Sequence, residues 1–221
     1  MNIVTAGIPR SGSTRLYNII RLGMLQFFDK DQINAGWISS YSHQDSKHNI
    51  VKVHDYDPMW LDYGKHIFTT KRDVRYIASS AYEHKPYDHF TSPEQLVGSM
   101  RSVLKNYHLW KEASHYEVVY EDFETKKESI VSDIFKIIGL PINVTKLLDD
   151  LTKIGNSKNH FNEDGESLMH IQHFSPNTNK HYRDRLPAEF VSAIERNFAE
   201  WLEDNGYEIG VNQSQSKTFS R

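Results

Sequence analysis

The chain has 221 residues, 38% hydrophobic and 25% charged, which is the balance of an ordinary globular protein with ample length for a buried core. A formal net charge of −3 argues against broad binding to nucleic acid or anionic membranes, while leaving room for a local basic pocket. There is no cysteine, so disulfides, Cys-ligated zinc and thiol catalysis are excluded.

The first run, "NIVTAG" (2–7), reads as a buried strand, and Leu16, Ile19, Ile20, Met24 and Phe27 follow at helical spacing. The N-terminus lacks the basic start and apolar run of a signal peptide, and no stretch approaches the roughly 18–20 apolar residues of a membrane span. The expected location is therefore the cytoplasm, with no membrane or nucleic-acid partner. Residues 39–48 are polar and read as a loop. "NIVKVH" (49–54) and "KHIFTTK" (65–71) are the next strands, and a helical pattern covers 74–82. A proline-punctuated loop (84–96) precedes a helix carrying Met100, Val103, Leu104, Tyr107 and Trp110.

"YEVVYEDF" (116–123) is the fourth strand and its turn. Ile130, Ile134, Phe135 and Ile138 mark a helix that ends near Gly139, and Val144, Leu147, Leu148 and Leu151 mark another. Residues 155–180 read as a long loop. A single last helix starts at Pro187, buries Phe190, Ile194, Phe198, Trp201 and Leu202, and stops at Gly206. Strands alternating with helices predict an α/β chain, with a mainly parallel sheet flanked by helices. One domain is expected over 1–210, with 211–221 as a flexible tail.

The chemistry concentrates in Gly7-Ile-Pro-Arg-Ser-Gly12-Ser13-Thr14. A loop between strand and helix aims backbone N–H groups and the positive helix end at one spot. The nucleotide-triphosphate form of such a loop is G-x-x-x-x-G-K-[ST]. Here Ser13 stands where the lysine would be, which disfavours a kinase or nucleotidase, and Arg10 places the cation inside the loop instead. Lys52 and His54, two apart on a strand, share a face. That pairing offers a cation and a general base with an ordinary pKa near 6.5. Asp55 and Asp57 are alternatives, either as orienters of His54 or as the base itself.

"PRSGST" (9–14) resembles the 5′-phosphosulfate loop of the sulfotransferases, which use 3′-phosphoadenosine 5′-phosphosulfate (PAPS) and have a P-loop-like fold. Three further stretches agree in order. "KRDVRYIASS" (71–80) resembles the 3′-phosphate motif, "KVH" (52–54) the lysine-x-histidine strand, and "VVYEDF" (118–123) the tyrosine-containing turn. With the C-terminal 181–207 segment, the similarity spans about residues 2–207.

The resemblance implies a P-loop-like three-layer fold and sulfonate transfer from PAPS to a hydroxyl or amine, leaving 3′-phosphoadenosine 5′-phosphate (PAP). The acceptor class stays open between a small molecule and a carbohydrate. Catalysis would fall to His54, Lys52 and Arg10. Arg10, Ser11, Gly12, Ser13 and Thr14 would hold the 5′ end, Arg72 and Ser80 the 3′-phosphate, and Tyr120 the adenine. No metal is required. Arg15 stands where many family members carry an adenine-stacking tryptophan, and their Arg-Lys-Gly segment is not visible, with Lys180 as a substitute candidate. His170 and His173 have H-x-x-H spacing but no accompanying carboxylate motif. A non-catalytic nucleotide-binding protein is the other alternative reading.

Overall fold

A computed structural model describes residues 1–39, 46–83, 90–156, 167–168 and 180–208. It divides into two compact units, Met1–Arg72 with Arg101–Asn179, and Asp73–Met100 with Lys180–Arg221.

The first unit is built on five strands: β1 (Asn2–Ala6), β2 (Ile33–Trp37), β3 (His48–Val53), β4 (His66–Lys71) and β5 (Tyr116–Val119). They lie in the order β2-β3-β1-β4-β5, and every pairing is parallel. Parallel neighbours need crossovers, and helices supply them. The unit contains α1 (Ser13–Met24), α2 (Met59–Tyr63), α5 (Asp122–Thr125), α6 (Lys127–Ile138) and α7 (Val144–Asn156). Alternation along the strands sends their side chains to two separate cores. Ile3, Ile50, Phe68 and Val118 pack with Leu16 and Ile20 of α1 and with Ile134 and Phe135 of α6. Val4, Ala6, Val51, Val53 and Ile67 pack on the other face with Trp60 and Trp110. The sheet is thus the middle of three layers, as expected.

The second unit contains α3 (Val74–Glu83), α8 (Ala188–Asn197) and α9 (Ala199–Asp204); α4 (Pro93–Ala113) runs through residues of both units. Tyr82 meets Phe190 edge-on at 5.0 Å. A buried Arg75 forks onto Asp73 and donates to the Tyr182 hydroxyl.

Two sequence expectations change. The first is β2, which the sequence does not announce because "INAGW" neither alternates nor concentrates β-branched residues. The second is the last helix, which breaks at Phe198, where φ −123° and ψ 22° leave the helical range although the apolar spacing continues. Among the described residues no helix is long and apolar enough to cross a membrane, and no group of three or more His, Cys, Asp or Glu is placed to hold a metal. His170 and His173 lie outside the described residues.

Candidate active site

The glycine loop joins β1 to α1 and is tied down on the β4 side. Ile8 N–H donates to the Thr70 carbonyl at 3.3 Å. The Ser11 hydroxyl donates to the Ile8 carbonyl at 2.5 Å and pairs with the Thr70 hydroxyl, and Ser11 is fully buried. Ser11 is therefore an internal brace; its main-chain N–H is also taken, by Ile8. A Cβ on Gly7 would run into Thr70 Oγ1 and Ser13, which explains glycine there.

Arg10 adopts a left-handed backbone (φ 66°), and Gly12 does the same (φ 82°). For a residue with a Cβ this conformation costs on the order of 1–2 kcal/mol. Arg72, just past the end of β4, donates from Nη1 to the Arg10 carbonyl at 3.1 Å. The Arg72 guanidinium carbon lies over the Tyr120 ring, 3.8 Å from its centre, in a cation–π contact. Tyr120 and Phe123 together crowd the space a Cβ on Gly12 would need.

Gly12 is the N-cap of α1 and offers no side-chain cap, and the first turn holds no acidic residue. The first N–H groups of a helix have no intrahelical partner, so this end favours an anion. Ser13 and Thr14 open the helix, both buried. Lys52 Nζ donates to Thr14 Oγ1 at 2.9 Å. A lysine ammonium only donates, so the Thr14 hydroxyl accepts there and keeps its own hydrogen to give. Lys52 is 5% exposed, and burial, followed by repulsion from Arg10, lowers its pKa to about 8. It remains mostly charged at pH 7. A lysine, absent from the loop itself, thus reaches its helix end from β3.

His54 follows β3 by one residue. Its Nδ1 lies 2.6 Å from the Gly7 carbonyl. A carbonyl only accepts, so Nδ1 carries the hydrogen and Nε2 carries the lone pair of the neutral ring. Trp110 of α4 holds the His54 main-chain oxygen at 3.2 Å. The neighbouring carboxylates have local partners. Asp55 accepts from Asn106 at 3.1 Å, and Asp57 accepts from the Met59 N–H at 3.0 Å. A small cleft beside His54 is walled by Ile8, Pro9, Val103, Tyr107 and Trp110, with Asp55 and Asn106 as its polar lining.

The structure gathers Arg10, Gly12, Ser13, Thr14, Lys52, His54, Arg72 and Tyr120 around one loop, each through the contacts above. Ser80 lies half-buried in α3, in the second unit. Arg15 bonds Glu124 at 2.5 Å and sits 4.9 Å from the Phe123 ring. Lys180 is exposed. Sequence reasoning overlooked Trp37, whose ring lies 4.9 Å from both Lys52 Nζ and the His54 ring. A recognised β2 would have placed it beside Lys52.

No protein-family model and no curated sequence matches the chain. Solved structures do. Retinol dehydratase, in complex with androsterone and the inactive cofactor PAP, is 14% identical with a TM-score of 0.59 over 96% of this chain and 82% of its own. Mouse sulfotransferase SULT7A1, complexed with PAP, is 13% identical with a TM-score of 0.68 over 93% of this chain and 84% of its own. Retinol dehydratase with retinol and PAP gives 14% and 0.61. At these identities the likeness concerns the fold: the chain has the P-loop-like α/β architecture of these proteins.

Proposed function

We propose that the chain transfers a sulfonate from PAPS to a hydroxyl or amine of a small acceptor, releasing PAP. The observation that carries this reading is Lys52, delivered from β3 onto Thr14 at an anion-binding helix end, with His54 two residues on. The shared fold supports it, since retinol dehydratase and SULT7A1 were both solved with PAP. Residues 1–210 would act as one catalytic domain in the cytoplasm.

The donor set fits two separated anionic ends. At the 5′ end, the N–H groups and hydroxyls of Ser13 and Thr14 receive the phosphosulfate, with Arg10 and Lys52 supplying charge. Arg72, in cation–π contact with Tyr120, receives the 3′-phosphate. Ser80 keeps its 3′-phosphate role, and Tyr120 its adenine role, on the resemblance alone. PAPS, when bound, supplies a sulfonate already activated by a phosphate leaving group, so no metal is needed.

His54 is the base. With Nδ1–H given to Gly7, its Nε2 takes the acceptor's proton as the acceptor oxygen or nitrogen forms its bond to sulfur. Lys52 and Arg10 stabilise charge where the bridging bond to the phosphate breaks. Arginine stays protonated at these pH values, so its part is electrostatic. The cleft beside His54 combines apolar walls, Ile8, Pro9, Val103 and Trp110, with the polar Asp55 and Asn106, which suits a small acceptor carrying a polar group on an apolar body; androsterone and retinol, bound by retinol dehydratase, are of that kind.

The test uses sulfur-labelled PAPS with water as the acceptor. Purified protein should release labelled sulfate and PAP, and His54→Ala should not. No release above the blank from the wild type, despite PAP binding, would point to a non-catalytic binding protein.

A further inference from the structure

Trp37 is the last residue of β2, the edge strand, and in the parallel register it stands beside Lys52. The Lys52 ammonium lies 4.9 Å from the centre of its ring, on the face. The His54 ring is 4.9 Å away and inclined by 61°. One indole therefore touches both side chains assigned to the chemistry. A lysine is a point charge on a flexible stem, and a single hydroxyl partner does not fix where it points. An indole face attracts the cation and excludes water from it. An inclined ring contact restricts rotation of the imidazole in the same way.

We propose that Trp37 is a positioning residue for sulfonate transfer, holding the Lys52 ammonium against Thr14 and fixing the plane of the His54 ring. The proposal rests on the transferase reading above. It also separates two roles an edge-strand tryptophan can have, since bracing the sheet would affect folding and binding together, whereas positioning affects the transfer step.

Trp37→Phe and Trp37→Leu in the full chain test this, with PAPS hydrolysis as the probe reaction. There the sulfur–oxygen bond to the 5′-phosphate breaks, a bond to the water oxygen forms, and His54 takes up a water proton. Trp37→Leu should lower kcat at least tenfold with KM for PAPS within twofold, and Trp37→Phe should stay within threefold of wild type. A Leu variant with kcat within twofold of wild type would overturn the proposal. So would parallel losses in kcat and PAP binding that Phe does not restore.

A second readout needs no PAPS. An ammonium quenches indole emission by giving a proton to the excited ring, so the wild-type emission minus that of Trp37→Phe should step near pH 8, where Lys52 titrates. The step should vanish in Lys52→Met and persist in His54→Gln. A flat difference, or a step that survives in Lys52→Met, overturns the contact itself. If the step is present but the wild type neither binds PAP nor hydrolyses PAPS, the transferase reading fails and takes the positioning role with it, while the Trp37–Lys52 contact stands.

Discussion

The side chain of Arg72 and the main chain of Arg10 are directly joined. Arg72 Nη1 donates to the Arg10 carbonyl at 3.1 Å, at a residue whose backbone is left-handed. The residue assigned to the 3′-phosphate thus also holds the loop assigned to the 5′ end. Loss of Arg72 should be felt at both.

Arg72→Lys keeps a cation but loses the fork and the stack on Tyr120. Calorimetric titration should show the preference for PAP over AMP falling at least tenfold, with a lower melting temperature for the free protein. An unchanged PAP preference would leave Arg72 as a loop brace only.

Arg10→Gly separates charge from backbone. Glycine adopts φ 66° without strain, so the loop should keep its shape and the free protein should melt at or near the wild-type temperature. PAPS turnover should fall at least tenfold. Retained turnover would remove Arg10 from the chemistry.

Ser11→Ala should behave in the opposite way. The hydroxyl serves the Ile8 carbonyl and the Thr70 hydroxyl; Ile8 keeps the Ser11 main-chain N–H, but the buried Thr70 hydroxyl loses its partner, at a cost of about 1–3 kcal/mol. Denaturant unfolding should record that loss. Saturation with PAP should restore most of the melting temperature, because the donors proposed for the phosphate are other residues.

Lys52 gives a pH signature of known sign. Its folded pKa, lowered chiefly by burial to about 8, lies below the ordinary 10.5. Below pH 8 the lysine is charged in both folded and unfolded chains, and the cost of burying it is present in full, roughly 3 kcal/mol for this shift. Between pH 8 and 10.5 the unfolded chain holds a proton that the folded chain has released, so stability rises with pH. Lys52→Met should therefore be more stable than wild type at pH 7, by up to about 3 kcal/mol, with the gap closing toward pH 10.5. PAP affinity should fall in wild type as pH rises through 8, because the bound anion needs the charge. A gap independent of pH would contradict the assignment.

Lys52 was legible because it depends on strand periodicity, which the β-branched run at 49–53 announces; His54, expected on the same strand, lies just past its end. The direction of Ser11 was not legible. Its hydroxyl turns inward because Thr70, 59 positions away, lies beneath it, and only the β1–β4 pairing brings them together. The ion pair of Arg15 with Glu124 is hidden for the same reason. Trp37 escaped notice because β2 is a short edge strand without an alternating pattern, so nothing local marked it as a neighbour of Lys52. The glycine spacing of the loop was legible from local sequence; that the Ser11 hydroxyl turns inward depended on tertiary pairing.

The most direct measurement of the central claim is thermal melting of the protein with PAP, with AMP, and with ATP plus magnesium. A ligand at a hundredfold excess over its Kd adds about 2.7 kcal/mol, which for a chain of this size raises Tm by roughly 5–10 °C. The account predicts that rise with PAP and not with AMP or ATP, since two separated phosphates are needed to engage both the α1 N-terminus and Arg72. A rise with ATP and magnesium alone would contradict it and make the protein a nucleotide triphosphate binder.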